Sequence, residues 1–183
     1  SSAASDVYKR QVISSELREL SAYSTILAAI ARGENKLNDI FHATGFSRAK
    51  ISVYLKNLAT FNIVEKVVSF ETGGWENAKK GVYQIKDTFV NFWFKFVYPN
   101  MSNLYLLSPE EFYDTYIEKE LDAYLERYFR EVCTEYLLIL NQMGQLPFTI
   151  KRVGTWIGKT GRIDIVAQSE DRRSIIGLSL IHI

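Results

Sequence analysis

The spacing of apolar residues in the first half of the chain predicts three short helices. Each of them places apolar side chains three or four positions apart, which puts these side chains on one face. Gly33 and Gly45 follow the first two helices as stop signals, and Ser47 precedes the third as an N-cap. The predicted inward residues are Ile26, Leu27 and Ile30, then Leu37, Ile40 and Phe41, then Ile51, Tyr54, Leu55 and Leu58.

The period of the pattern changes after the third helix. The segments IVEKVVSFET and KKGVYQIKD read as strands, and a polar Gly-Gly region separates them, which predicts a β-hairpin. Two short helices, a tight glycine turn, a third helix that begins at a serine, and a hairpin are together typical of a winged helix-turn-helix. We therefore expect a winged helix domain over residues 12–86.

The third helix and the hairpin carry the candidate DNA-binding residues. Early residues of such a helix reach base edges in the major groove, whereas lysines suit phosphates. The same side chains could instead solvate a helix face, and a winged helix can also dock a protein, so both interpretations stay open, with DNA favoured. The candidates are Ser47, Arg48, Lys50, Ser52, Lys56, Lys66, Lys79 and Lys80.

Residues 87–177 are predicted to form a helical connector followed by a sheet. In KDTFVNFWFKFVYPN, Asp87 is a suitable N-cap, and Pro99 with Asn100 should end the helix. Five large apolar residues cover much of the helix circumference, so we expect this helix to be buried on most sides. They are Phe89, Phe92, Trp93, Phe96 and Val97.

A second helical stretch begins at Ser108, has Pro109 at its first position and runs to Gly144. It is long enough to divide into two helices. After it, FTIKRVGTWIG, RIDIVAQ and SIIG predict three strands, so the chain as a whole is of the α+β class. The predicted inward residues of the helical stretch are Ile117, Leu121, Tyr124, Leu125, Tyr128, Phe129, Val132, Tyr136 and Leu137.

Asp164 lies in the middle of the second of these strands, where a carboxylate is costly without a partner or a metal. An acid on a middle strand, followed by a hairpin to a third strand, is the arrangement of metal-dependent nucleases, in which the third strand adds Glu-x-Lys. Asp164 is therefore a candidate metal ligand. A structural aspartate paired with Arg162 or Lys159 is an equally good interpretation.

Composition narrows the possible classes of protein. With 47% hydrophobic and 14% aromatic residues the chain is globular material, and no apolar run approaches the roughly 20 residues of a membrane span. The single cysteine, Cys133, excludes an internal disulfide and indicates a reducing, cytoplasmic compartment. The net charge of +1 gives no indication of nucleic acid by itself, so charge has to be compared region by region.

The two ends of the chain are related at the level of DNA. DVYKRQ, residues 6–11, can be encoded by a sequence whose reverse complement translates as LSLIHI, residues 178–183. This word resembles the transposase end sequence used in sequencing libraries, so we expect residues 1–11 and 178–183 to derive from adapter sequence. The natural coding would then extend from about Val12 to Gly177 and be truncated at both ends.

Several segments resemble the C-terminal region of the archaeal-type AAA-like P-loop ATPases. They are YQIKDTFVNFWFKFVYPN, FREVCTEYL, LPF, VGTWIGKTGRIDIVA and IIG. The resemblance implies a winged helix followed by a helical segment and a domain of unknown function with an α/β restriction-endonuclease-like core, here truncated. Thr88 stands where family members have a proline, and Arg130 stands where they commonly have a glutamate.

The resemblance implies a DNA-binding and nuclease-like region of an ATP-binding protein. The P-loop would lie upstream of Val12, and the Glu and Lys of the metal site would fall at Leu178 and Leu180, so we expect the fragment to be catalytically inert. ATP and a divalent metal such as Mg²⁺ would belong to the full-length protein, with DNA and the upstream ATPase domain as partners. The alternative is a regulatory module that packs on the ATPase domain or on a partner protein.

Overall fold

The computed structural model describes residues 19–72, 81–159 and 161–178. Helices and two small sheets make up these ranges, so the predicted α+β class is confirmed. The chain divides into two compact units, of which the first contains residues 19–66 and 82–101, and the second contains the remaining described residues. The segments 1–11 and 179–183, which we expect to be adapter-derived, lie outside the described residues.

Three helices form most of the first unit. They are α1 (19–31), α2 (Leu37–Thr44) and α3 (Arg48–Thr60). The predicted stop and start signals are confirmed. Gly33 and Gly45 have φ angles of 102° and 69°, a left-handed conformation that glycine adopts without strain. The Ser47 Oγ accepts a hydrogen bond from the Lys50 backbone N at 3.2 Å and so caps α3.

A two-stranded sheet completes the core of the first unit. Strands β1 (Val64–Val67) and β2 (Val82–Ile85) occur where the sequence predicts the hairpin, and they pair with each other. One apolar cluster joins the helices to this sheet, and burial of such side chains is the main stabilising contribution to a small domain. Its buried members are Ile26, Leu27, Ile30, Ile40, Ile51, Leu55, Leu58, Val64 and Ile85.

The aromatic run after β2 forms a helical path whose winding changes. Its parts are α4 (Thr88–Phe92), a π-helical turn (Trp93–Val97), a 3₁₀ turn (Tyr98–Asn100) and α5 (Met101–Leu104). The predicted N-cap is confirmed, because the Asp87 Oδ1 accepts a hydrogen bond from the Val90 backbone N at 2.8 Å. The prediction that Pro99 and Asn100 end the helix is wrong. Pro99 lies in the first turn of a 3₁₀ segment, where its missing N–H is tolerated.

The aromatic side chains of this path are only partly buried. Phe96 and Val97 are buried, whereas Phe89 exposes 71% of its surface and stacks on Trp93 with ring centroids 6.4 Å apart. The expectation that this helix is buried on most sides is therefore wrong. A helix with apolar residues around its circumference buries only the sides that neighbouring elements reach.

Two helices begin the main segment of the second unit. They are α6 (Pro109–Tyr116) and α7 (Glu118–Gln142), and the buried Ile117 separates them, as the length of the stretch predicts. The predicted start is confirmed by a complete capping box. The Ser108 Oγ accepts a hydrogen bond from the Glu111 backbone N at 3.2 Å, and the Glu111 Oε2 accepts one from the Ser108 backbone N at 3.0 Å.

An antiparallel three-stranded sheet follows these helices. Strands β3 (Arg152–Ile157), β4 (Arg162–Gln168) and β5 (Ser174–Gly177) pair in that order and correspond to the three predicted strands. A β-bulge interrupts the β3–β4 register between Gly154 and Trp156. Asp164 lies on β4 opposite this irregularity.

Helix α7 packs against β4, and two of its polar residues form hydrogen bonds on that side. Its Asn141 Oδ1 accepts a hydrogen bond from the Ile150 backbone N at 2.7 Å, and its Arg130 Nε donates one to Asp164. The predicted inward face is wrong in part, because hydrogen bonds select the opposite side of the helix for contact. Of the predicted residues, Ile117 is buried, Leu121, Tyr124, Tyr128 and Leu137 are half-buried, and Leu125, Phe129, Val132 and Tyr136 are exposed.

The segment between β1 and β2 belongs to the second unit. The Ser69 Oγ accepts a hydrogen bond from the Ile157 backbone N at 3.1 Å, and the Arg152 guanidinium lies 4.0 Å from the centroid of the Phe70 ring. Gly154 leaves room for that ring, since a Cβ atom there would lie 3.2 Å from the Phe70 Cδ2. The chain therefore passes between the two units three times, after residues 66, 81 and 101.

Candidate functional site

Helix α3 presents the predicted DNA-contacting residues to solvent. Its buried side consists of Ile51, Leu55 and Leu58, which belong to the core of the first unit. The other side of the helix, together with its cap, is exposed. The predicted residues Ser47, Arg48, Lys50, Ser52 and Lys56 are all exposed. The structure therefore leaves these side chains accessible along one short helix, and contact with DNA stays a prediction.

Arg48 and Lys50 lie at opposite edges of this exposed side. The Arg48 Nη2 donates a hydrogen bond to the Asn38 Oδ1 at 2.6 Å, and its guanidinium lies 4.1 Å from the centroid of the Phe41 ring. The Lys50 Nζ lies 4.1 Å from the centroid of the Phe46 ring. These contacts hold both cations near the start of α3. An arginine has five N–H donors, so the bond to Asn38 leaves others to contact an anion.

Small and apolar residues form the centre of the exposed side, and the sequence reasoning missed them. Ala49, Val53 and Thr60 lie opposite the buried stripe, with Lys56 beside them, and Val53 exposes 58% of its surface. The helical period alone could have identified them, since they stand half a turn away from the inward residues. Apolar contacts of this kind can read the methyl group of thymine in the major groove.

The charge of the first unit is unbalanced in favour of cations. No residue in the described ranges forms an ion pair with Arg48, Lys50 or Lys56. Residues 19–66 and 82–101 contain eight Lys and Arg residues against five Asp and Glu residues. The described part of the second unit contains nine against thirteen. The overall charge of the chain therefore hides a basic unit and an acidic one.

The hairpin contributes one described cation. Lys66 on β1 is exposed, and its Nζ lies 6.0 Å from the centroid of the Tyr83 ring on β2. Burial raises the pKa of Tyr83, so its hydroxyl stays neutral at physiological pH. The predicted contacts Lys79 and Lys80 lie outside the described residues.

In the second unit, Asp164 is held by two arginines. The Arg130 Nε donates a hydrogen bond to the Asp164 Oδ1 at 2.7 Å, and the Arg162 Nε lies 3.6 Å from the same oxygen. The Asp164 and Arg130 side chains expose only 12% and 14% of their surfaces. The pairing with Arg162 is therefore confirmed. The contact with Arg130 was missed, because helix α7 was assigned the opposite inward face.

Positive charge is concentrated around this carboxylate. Burial lowers the pKa of Arg162, and the nearby charges of Arg130 and Arg127 act in the same direction, while Asp164 opposes them. Arg127 also pairs with Glu131, with an Nε–Oε1 distance of 3.6 Å. The surroundings of Asp164 are thus an ion-pair network between α7 and β4.

The residues in the described ranges do not fit a divalent cation at Asp164. Two guanidinium groups approach the carboxylate, and a cation would have to displace them. Residues 19–72, 81–159 and 161–178 contain no group of three or more His, Cys, Asp or Glu side chains that could hold a metal. Leu178 stands at the position expected for the glutamate, and Leu180 lies outside the described residues. Metal binding by Asp164 in a longer protein stays a prediction.

Comparison with known proteins gives two similarities. Residues 93–178 match the DUF234 family, described as archaea bacterial proteins of unknown function. The chain is also similar to the uncharacterized protein MJECL04 of Methanocaldococcus jannaschii, with 32% identity over 162 residues. This alignment covers 88% of the chain but 36% of the relative, so the chain spans about a third of the relative's length. No solved structure matches the chain.

These similarities confirm the coarser part of the predicted relationship. The matched family is archaeal and bacterial and has no established function, as expected of a domain of unknown function. Neither similarity names an ATPase, a nuclease or a DNA-binding protein. None of the described helices combines the length and the apolar character needed to cross a bilayer.

Proposed function

We propose that the first unit is a winged-helix module that binds duplex DNA through α3. The observation that carries this proposal is the exposed side of α3, where Arg48, Lys50 and Lys56 have no ion-pair partner among the described residues. A helix of 13 residues is about 20 Å long and fits the major groove. The order of three helices followed by a two-stranded sheet agrees with this architecture.

The charged and the apolar residues of the exposed side would contact different parts of the DNA. Arg48 and Lys50, at its two edges, would contact the phosphates that border the groove, and Lys56 would contact a phosphate further along. Ala49 and Val53 would lie closest to the base edges, where small apolar side chains admit a close approach and can contact thymine methyl groups. The β1–β2 hairpin would place Lys66 on the neighbouring backbone. Most of the affinity would then be electrostatic, with modest sequence preference.

The test is fluorescence anisotropy with the 183-residue chain and a labelled DNA duplex at several salt concentrations. With four phosphate contacts, the logarithm of the affinity should fall with the logarithm of the salt concentration with a slope of roughly −3.6. This corresponds to a loss of about 150-fold between 50 and 200 mM salt. Lys50→Ala and Lys56→Ala should each weaken binding and lower that slope by about 1.

Lys119→Ala is the matched control. Lys119 is an exposed lysine on a helix of the second unit, so its removal changes the net charge by the same amount without altering α3. Its variant should bind DNA with the salt slope of the unchanged chain. Equal losses in all three lysine variants would indicate nonspecific attraction to net charge and contradict the assignment to α3. Absence of binding at 50 mM salt would contradict DNA binding altogether.

Exposed apolar residues favour a second candidate function, a protein-docking module. Phe61, directly after α3, exposes 74% of its surface, and Val53 on α3 is exposed as well. Large exposed apolar side chains are more typical of protein interfaces than of phosphate contacts. If Phe61→Ser left DNA binding unchanged but abolished association with a partner region of a longer homologue, docking rather than DNA contact would be the function of this surface.

The ATPase and nuclease parts of the interpretation concern a longer protein. The resemblance supports an upstream ATP-binding portion, with ATP and Mg²⁺ as its ligands, and a second unit that derives from a nuclease-like fold and is catalytically inert in this chain. The ion pair between Arg130 and Asp164 supports the inert assignment, because it occupies the candidate metal-binding acid. The test is DNA cleavage with Mg²⁺ by the chain and by its Asp164→Asn variant, and cleavage that Asp164→Asn abolishes would overturn it.

A further inference from the structure

Helix α7 carries a continuous apolar stripe on its solvent side. Five large apolar side chains of the helix and that of its C-cap, Met143, are exposed, although the helix lies in a folded unit. Each exposes between 38% and 62% of its surface. We call these residues the α7 stripe, and they are Leu125, Phe129, Val132, Tyr136, Ile139 and Met143. A patch of this extent on one helix marks an interaction surface.

The α7 stripe cannot turn towards the sheet of its own unit without breaking established contacts. Arg130 donates to Asp164 on β4, and Asn141 bonds to the backbone of Ile150. These two residues lie on the side of α7 opposite the stripe, and Thr134 lies between them. Rotating the helix would break the 2.7 Å hydrogen bond from Arg130 to the largely buried Asp164 carboxylate, which is costly.

The spacing of the stripe is that of a coiled-coil seam. Successive members are separated by four, three, four, three and four residues, which is the alternation of the heptad a and d positions. A surface helix that packs within a globular domain has a broader apolar face of three or four residues per two turns. The exposed stripe is narrow and extends over five turns, so it is suited to one partner helix.

We propose that the α7 stripe pairs antiparallel with the α7 stripe of a second copy of this chain. The spacing reads the same in both directions, so an inverted copy meets it layer by layer, with Leu125 opposite Met143 of the other copy. Phe129 then lies opposite Ile139, and Val132 lies opposite Tyr136. This arrangement is isologous and closes after two copies.

Charge selects the antiparallel direction. The first third of α7 is acidic, with Glu118, Glu120, Asp122 and Glu126 against Lys119 alone. Residues 142–150, which the antiparallel register places opposite this segment, contain no charged residue. A parallel pair would place the two acidic segments side by side, where like charges repel. An antiparallel pair places each acidic segment beside the uncharged segment of the other copy. It also aligns the two helix dipoles favourably.

The apolar area of the stripe is sufficient for a weak dimer. Large side chains offer about 200 Å² each, so six of them that are roughly half exposed supply about 600 Å² per copy. Two copies would then bury about 1,200 Å², which lies at the lower limit of specific protein interfaces. A dissociation constant of about 1–100 μM is expected for an interface of this size without strong polar anchors.

The first test is sedimentation velocity of the 183-residue chain over a concentration range that brackets this constant. We expect a reversible monomer–dimer equilibrium. The double variant Phe129→Glu/Tyr136→Glu should weaken the dimer at least about a hundredfold, because it places four charges in the central layers. Both side chains are exposed in the monomer, so the variant should keep the helix content and unfolding midpoint of the unchanged chain.

The control variant is Tyr105→Glu/Leu106→Glu. Tyr105 and Leu106 are also exposed apolar residues of the second unit, and the substitutions introduce the same charge outside α7. This variant should dimerise like the unchanged chain. Equal weakening by both double variants would contradict the assignment to the stripe.

The second test measures the direction of pairing with spin labels. A label on Cys133 should lie close to its counterpart, because the two-fold axis crosses α7 near residue 134 and the axial offset is only about 3 Å. A label on Gln142→Cys, in a Cys133→Ala background, should lie about 24 Å from its counterpart along the axis. Parallel helices would place both pairs at equal heights, so equal separations at the two sites would overturn the antiparallel arrangement.

The remaining outcomes also decide the matter. A monomer at several hundred micromolar would overturn self-pairing and leave another segment of a longer protein, or a different partner, as the occupant of the stripe. A dimer or larger oligomer that persists in Phe129→Glu/Tyr136→Glu would show that another surface associates. A dimer lost only in that variant, with the expected label separations, supports the proposal.

Discussion

The two units of the chain place apolar and charged residues in opposite ways. In the first unit, α3 directs Ile51, Leu55 and Leu58 into a shared core and leaves its cations in solvent. In the second unit, α7 directs Arg130 and Asn141 towards the sheet and leaves the α7 stripe exposed, and no residue of this 25-residue helix is fully buried. Both helices are amphipathic, yet only α3 fully buries apolar side chains within its own unit.

This difference shows what an apolar stripe specifies. The stripe indicates that one side of a helix avoids water in the functional assembly, and the remaining contacts decide which surface covers it. On α3 the hydrogen bonds of Arg48 and Asn57 to the other helices are compatible with burial of the apolar stripe. On α7 the Arg130–Asp164 ion pair fixes the opposite side against β4, so the apolar side is left for a partner.

The largest expected effect contrasts one apolar residue from each helix. Ile51 on α3 is fully buried, and Ile51→Ala should lower the free energy of unfolding by about 2–5 kcal/mol through lost burial and a cavity. Val132 on α7 is exposed, and Val132→Ala should change the free energy of unfolding of the monomer by less than about 0.5 kcal/mol. Urea unfolding at low protein concentration measures both. Similar losses for the two variants would remove the contrast between the helices.

A smaller effect is expected from removing the polar anchor of α7. Arg130→Met removes the 2.7 Å hydrogen bond to the largely buried Asp164 carboxylate, which should cost about 2–3 kcal/mol. The double variant Arg130→Met/Asp164→Leu should recover most of this loss, because it removes the buried charge as well as its partner. Urea unfolding of both variants checks the prediction. If the double variant were as unstable as the single one, the loss would reflect packing rather than charge.

The smallest effect concerns the serine N-cap, which begins α3 in the first unit and α6 in the second. The hydrogen bonds that Ser108 donates from its backbone N and its side chain lower the pKa of Glu111 below the usual value. Its carboxylate therefore stabilises α6 above the ordinary pKa of glutamate, and this contribution is lost as the pH falls through the lowered, folded-state pKa. Thermal unfolding between pH 6 and pH 3 should show a slightly steeper loss for the unchanged chain than for Glu111→Gln.

Glu110→Gln serves as the control for that measurement. Glu110 lies in the same first turn of α6 and has the same charge, but the capping box uses Glu111. The pH dependence of Glu110→Gln should follow that of the unchanged chain. If both glutamine variants flattened the pH dependence equally, the effect would come from the general charge of the helix start rather than from the cap.

Local elements were predictable in both units because their signals lie within a few residues of the sequence. Gly45 ends α2, and Ser47, Asp87 and Ser108 begin α3, α4 and α6 as the sequence indicates. Each of these residues satisfies backbone groups only three or four positions away. The three strands of the second sheet followed from the same kind of local evidence.

Features that depend on distant residues were not predictable. Arg130 and Asp164 are 34 positions apart, and their ion pair decides which side of α7 meets the sheet. The continuation of the helical path through Pro99 depends on a π-helical turn and a 3₁₀ turn, which the apolar pattern does not signal. The exposed centre of α3 around Val53 is the exception, because the helical period alone predicts it.

Because the chain passes between its units three times, neither unit can be isolated by a single cut. Hydrolysis of any one peptide bond yields two continuous pieces, and neither piece can equal a whole unit, because residues 67–81 interrupt the first and residues 82–101 interrupt the second. Isolating the first unit requires excising 67–81 and rejoining Lys66 to Val82 through a short linker. Protease fragments of the chain would therefore be misleading substitutes for either half.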